Sequence, residues 1–183
     1  MSTCKRGLAT KPHRIILVLI GLTLCWPVAG FSVSPNLGRE VNAEEIRRWN
    51  LNVFPDGRGL PAGSGSVAEG ALVYESRCQS CHGPKGQGAS ADELAGKRHP
   101  LTDVNPDKTI GNFWPYATTL FDFVRRSMPL DKPGSLTDNE LYAVTAYLLN
   151  LNEVIEAKAT LDAATLPKVV MPNREGFVRI DAQ

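Results

Sequence analysis

Apolar positions along this chain are spaced in several distinct ways, and each spacing predicts a different kind of segment. Ahead of residue 78 and again after residue 136 they recur at helical intervals. Ser66 followed three residues later by Glu69 has the form of a capping box, in which each side chain satisfies the other's free backbone N–H, so a helix is predicted from about Val67 to Arg77. Gly70 and Tyr74 lie four apart on one face of it, leaving room for a second helix to approach at the glycine while the ring covers its flank. Thr137 and Glu140 repeat the capping box between Leu136 and Leu141, which stand where a hydrophobic staple would. That helix should continue to about Leu149, with Leu141, Val144, Thr145 and Leu148 as its buried stripe and Tyr147 at the border.

Between these two, Tyr116 to Met128 carries Leu120, Phe121, Phe123 and Val124, enough apolar surface for a third helix. From Phe31 to Gly65 the chain is rich in Gly, Pro and Asn, with one short helical candidate from Ala43 to Trp49. Pro55 to Gly65 holds two Pro and four Gly, which cannot propagate a helix. The reading is an all-α fold of few helices in one domain: an extended arm over 31–65, a helical domain over 66–152 and a wrapping tail over 153–183.

Ile15 to Cys25 is an unbroken apolar run behind Lys5, Arg6, Lys11 and Arg14, and Val28-Ala29-Gly30 follows with small residues. This has the form of a secretory signal over 1–30, cleaved near Gly30 into a periplasm; an uncleaved anchor is the alternative. Removing those four basic groups and no acidic one takes the balance from 20 basic and 19 acidic residues to 16 against 19. A chain of that sign lacks the basic face that nucleic acid selects.

The chemistry is concentrated in Cys78-Gln79-Ser80-Cys81-His82. In C-x-x-C-H, two thiols three positions apart can each add to a haem vinyl group, and the adjacent imidazole can then reach the iron. The same string could be half of a zinc site or a thioredoxin-like dithiol. The other cysteines, Cys4 and Cys25, and His13 lie in the segment expected to be removed, leaving His99 alone as a further ligand for zinc. A dithiol of the thioredoxin kind expects a preceding strand, whereas a helix precedes this motif. One covalent haem c is therefore expected, as the motif occurs once.

For the remaining axial position, the side chains in common use are Met and His, which leaves Met128, Met171 and His99. Met128 is preferred because its loop leads directly into the last domain helix, from which it can fold over the ring opposite His82; Met171 lies in the tail. Trp114, Tyr116 and Arg126 are candidates to contact a haem propionate, with Arg125 beside them; solvated helix-end charges and ordinary edge packing are the plainer readings.

The order helix, C-x-x-C-H-G, Met-Pro loop, and capped helix with Tyr142 and Tyr147 resembles class I cytochrome c domains. Pro55-Asp56-Gly57-Arg58-Gly59-Leu60-Pro61, Trp114 to Asp122, Arg125 to Pro129 and Met171 to Phe177 narrow the resemblance to the SoxD-like cytochrome subunit of periplasmic sulfur or sulfite dehydrogenases. It covers about Asn42 to Phe177. The resemblance implies thioether bonds on Cys78 and Cys81, axial ligands His82 and Met128, a molybdenum-containing dehydrogenase subunit as electron donor, and a downstream cytochrome c or oxidase as acceptor. Some members carry a second haem domain, for which this chain has no second motif. A free-standing electron shuttle, and a haem sensor or peroxidase with an open distal side, are the rival functions.

Overall fold

The two capping boxes form as their residues predict, and between them they start the two helices around which everything else is arranged. In a computed structural model describing residues 37–97 and 100–178, the Ser66 N–H donates to the Glu69 carboxylate at 2.8 Å while Ser66 Oγ accepts from the Glu69 N–H. Thr137 and Glu140 make the same exchange. The elements in chain order are α1 (Ala43–Trp49), β1 (Ser64–Ser66), α2 (Val67–Arg77), α3 (Gln79–His82), α4 (Ile110–Phe113), α5 (Ala117–Ser127), α6 (Asp138–Leu151) and β2 (Thr160–Asp162), followed by a 3-10 turn at Leu166–Lys168. All lie in one compact unit that begins at Asn42.

Gly70 is where α2 meets α6, and the meeting is backbone against backbone. A Cβ at Gly70 would run into the carbonyl of Ala143, and one at Gly65 into the Ala143 amide. One turn along α2, the Tyr74 ring lies 5.1 Å from that of Tyr147, tilted by 45°. On the other side of α6, Tyr142 packs at 4.7 Å against Phe121 of α5. Tyr74, Phe121, Leu141, Tyr142, Val144 and Leu149 form the centre of one core.

The short four-residue helices α3 and α4 and the strands have no sequence periodicity to announce them. β1 and β2 pair antiparallel, Gly65 opposite Leu161, so the arm and the tail are stitched together over α6. The tail, read from sequence as a wrapping segment, thus supplies a strand, a 3-10 turn and three core side chains, Leu161, Leu166 and Met171. It covers its own domain. The arm is tied down as well: the Val53 N–H donates to Asp122 at 2.9 Å, the Tyr142 hydroxyl to the Pro61 carbonyl at 2.8 Å, and the Ser64 N–H to Asn139 at 3.0 Å. The expected signal segment and His99 lie outside the described residues. Among the described residues no helix is long and apolar enough to cross a membrane.

The crossing sets a stability test. Gly70→Ala gains about 1 kcal/mol of helix propensity, but it forces a methyl into a backbone carbonyl that no rotamer change can move, an overpacking cost of about 3 kcal/mol. A net loss of about 2 kcal/mol or more is expected in guanidinium unfolding of the haem-loaded protein.

Candidate functional site

Cys78 ends α2 and caps the single turn of α3, so the five residues of the motif occupy a helix-to-helix corner rather than a strand end. Gly83 closes that turn with φ +79°, a conformation only glycine adopts without strain. A side chain there would also press on Gln87 and the Gly88 carbonyl, at 2.8 Å each. The loop that follows folds back over the corner. The Gly88 N–H donates to the His82 carbonyl and the Ala91 N–H to the Cys81 carbonyl, both at 2.9 Å.

His82 is oriented by the same loop. Its Nδ1 lies 2.8 Å from the Asp92 carbonyl oxygen, and a carbonyl can only accept, so Nδ1 carries the proton and Nε2 is left with its lone pair for a metal. The Tyr74 hydroxyl, buried in the helix crossing, reaches across to donate to the Gly83 carbonyl at 2.7 Å. The α2–α6 packing is thereby joined to the residue next to His82. Asn152, at the end of α6, accepts from the Gly111 N–H of α4 and donates to the Leu94 carbonyl, tying the same loop to two helices.

Cys78 is half-buried and Cys81 exposed. Burial, with a smaller contribution from Cys81, pushes the Cys78 thiol up to about 11. A dithiol of the thioredoxin kind needs its nucleophilic cysteine shifted the other way. Among the described residues no group of three or more His, Cys, Asp or Glu side chains converges as a zinc site requires. What remains is a donor set suited to a covalent haem: two thiols at the vinyl spacing and an imidazole presenting Nε2.

Met128 ends α5 and is half-buried against the same core that Cys78, Leu94 and Trp114 border. Met171 is 1% exposed and packed inside the core, a position that commits it to packing. Trp114 stacks edge-on against Phe123 at 5.7 Å, and Tyr116 lies beneath the Arg174 guanidinium at 4.7 Å. Arg126 is paired with the buried Asp122 carboxylate, and Arg125 reaches the Leu51 carbonyl and Asp138. These residues therefore make the protein contacts of the α4–α5 corner and of α5. Asp92, Tyr74 Oη, Asn152 and Asp122 are parts of the site that residue-type reasoning did not find. Asp92 contributes only its backbone, and Asn152 reads from sequence as a helix end.

A few short helices folded around a C-x-x-C-H corner, with a His whose Nδ1 is held by a loop carbonyl and a Met following the penultimate helix, define a class I c-type cytochrome domain. The comparisons agree. The family model for cytochrome c matches residues 67–152. A chain in the crystal structure of the sulfane dehydrogenase SoxCD from Paracoccus pantotrophus is 44% identical, with a TM-score of 0.75 over 81% of this chain and 73% of that one. A thiosulfate dehydrogenase from Stutzerimonas stutzeri (strain A1501) is 34% identical over 88 residues, 48% of this chain; the match spans 28% of that relative's length. The chain belongs to the cytochrome c family and carries a covalently bound haem c.

The buried tyrosines give a pH dependence. Burial raises Tyr74 and Tyr142 from 10.0 to about 12, so between those values the unfolded chain has released protons that the folded chain retains. Stability is complete below pH 10 on this account and falls as pH rises through that window, by up to ~1.4 kcal/mol per pH unit per tyrosine. Tyr74→Phe and Tyr142→Phe should each flatten that slope, as measured by denaturant midpoints across alkaline pH.

Proposed function

We propose that this chain is a monohaem electron-transfer subunit that works outside the cytoplasm, taking electrons from a molybdenum-containing sulfite or sulfur-compound dehydrogenase and passing them to a downstream cytochrome c or oxidase. When bound, the haem supplies one-electron exchange at its iron. Cys78 and Cys81 would hold it through thioether bonds, and His82 Nε2 and Met128 Sδ would bind its iron. With both of those side chains bound, no iron position would be left for dioxygen or peroxide. A Met opposite a His also raises the potential relative to two His, which suits acceptance of electrons from a sulfur oxidation. The α3 corner, held by Gly83, Asp92 and Tyr74, keeps His82 in one tautomer and one orientation throughout.

The observation that carries the assignment to a dehydrogenase complex is the reach of the likeness to the SoxCD chain. The cytochrome c family model ends at both borders of the haem domain, whereas the SoxCD likeness takes in 81% of the chain and so extends beyond that domain. Export to the periplasm is supported by the basic and apolar N-terminal pattern of the sequence.

Two experiments test this reading. Met128→Ala should let the ferrous protein bind carbon monoxide rapidly at neutral pH and remove the long-wavelength absorption band that iron–thioether bonding gives in the ferric state. Met171→Ala should keep that band and lose about 3 kcal/mol of stability instead. Rapid carbon monoxide binding by the unaltered protein would sink the Met128 assignment.

For the partner, the haem-loaded cytochrome co-expressed with a molybdopterin sulfur-compound dehydrogenase should co-purify with it. Sulfite or a sulfane substrate should then reduce the haem within catalytic turnover times. Absence of both outcomes returns the chain to the free-standing shuttle reading.

A further inference from the structure

α1 is a helix with no buried residue, held at the edge of a segment that is otherwise nailed to the domain. Its sequence favours a helix locally. The Asn42 side chain accepts the Glu45 N–H at 2.9 Å, Glu44 and Glu45 occupy the positive end of the dipole, and Arg47 and Arg48 the negative end. Arg47 and Arg48 both pair with Glu44, so these charges answer one another within the helix. Ile46 and Trp49, three apart and hence on one face, are left 51% and 82% exposed.

Directly after the helix the chain is fixed: the Leu51 carbonyl faces the Arg125 guanidinium, and Val53 is bonded to Asp122. An isolated helix of this length is marginal in water. Here one end is anchored and a Trp and an Ile are presented outward, an arrangement that costs apolar exposure with no return inside the domain.

We infer that the Ile46–Trp49 face of α1 is a docking anchor, and that its occupant is an apolar cleft on the catalytic dehydrogenase subunit. The inference rests on the electron-transfer-subunit reading above and adds which surface holds the partner. The choice of occupant comes from the extent of the SoxCD likeness. Leu51 to Gln183 is 133 of the 183 residues, less than three quarters of the chain, so a match covering 81% has to reach ahead of Leu51, into the stretch that holds α1. That stretch lies outside the cytochrome c family model. The likeness therefore extends into the stretch that holds α1, which the haem-domain family model leaves out. A Trp seated in a cleft is also the residue type most often found to dominate an interface. Because the charges of α1 are internally paired, docking through this face is apolar and weakly sensitive to salt.

The test uses the full haem-loaded cytochrome and the co-expressed molybdenum subunit, with Kd measured at low and high ionic strength. Ile46→Ala with Trp49→Ala should raise Kd by about tenfold or more, with little change in the salt dependence, and Trp49→Phe should recover most of the affinity. The haem absorption spectrum and reduction by dithionite should stay as in the unaltered protein, since α1 touches neither core nor haem site. Substrate-driven haem reduction at limiting partner should slow in proportion to the lost binding. Unchanged Kd in the double variant, with the unaltered protein still binding, overturns the docking anchor and leaves the electron-transfer reading standing. No binding and no substrate-driven reduction by the unaltered protein overturns both. Loss of self-association or of binding to anionic lipid vesicles, in place of loss of partner affinity, also overturns it by assigning the face to a second copy or a membrane.

Discussion

The contact on which the rest of this structure depends is the one between Gly70 and Ala143, where two helices far apart in sequence come close enough for backbone to meet backbone. Such an approach is available only where a side chain is missing. It places Tyr74 one turn later, at a height from which its hydroxyl can reach the Gly83 carbonyl. The crossing is thus more than a way to bury apolar surface. It fixes where the haem-binding corner sits relative to α6, and the tyrosine makes that relation specific by one buried hydrogen bond, a bond that costs more to lose than it contributes net.

Around His82 the fold supplies backbone groups where side chains supply the chemistry. The Asp92 carbonyl sets the tautomer, the Gly88 N–H holds the His82 carbonyl, and the Ala91 N–H holds that of Cys81. Backbone partners of this kind are insensitive to ionic strength and add no titratable charge beside the ligand. They hold His82 in place while charge comes and goes, as a relay requires, because little has to rearrange at each transfer.

How much of this was legible in the chain depends on the range of the signal. Both capping boxes are local, four residues each, and they located α2 and α6 to within about two residues. The C-x-x-C-H string is likewise local. The Gly70 and Tyr74 spacing foretold the close crossing, although not that the tyrosine hydroxyl would serve the site. The pairing of β1 with β2 joins residues nearly a hundred positions apart through three residues on each side, and nothing in Ser64-Gly65-Ser66 or Thr160-Leu161-Asp162 carries that information. Asp92 was invisible because its side chain is not what acts. Arg126 reads from sequence as a charge for a haem propionate, and its partner within the protein is the buried Asp122 four residues earlier on the same helix.

Asp122 also explains why arm and helix form one body. Its carboxylate is nearly buried, so it needs more than a single partner; it accepts the Val53 N–H and pairs with Arg126, and the arm is therefore part of its desolvation cost as well as its remedy. Removing the arm would leave that carboxylate with Arg126 and water on the helix that leads to Met128. A chain evolving only to wrap a haem has no need for that dependence. The same bond makes sense where the segment ahead of Val53 must be held at a fixed place on the surface, so that a partner gripping it also fixes the distance to the haem. The bond fixes Val53 to the helix that leads to Met128, so arm and helix keep one relative position.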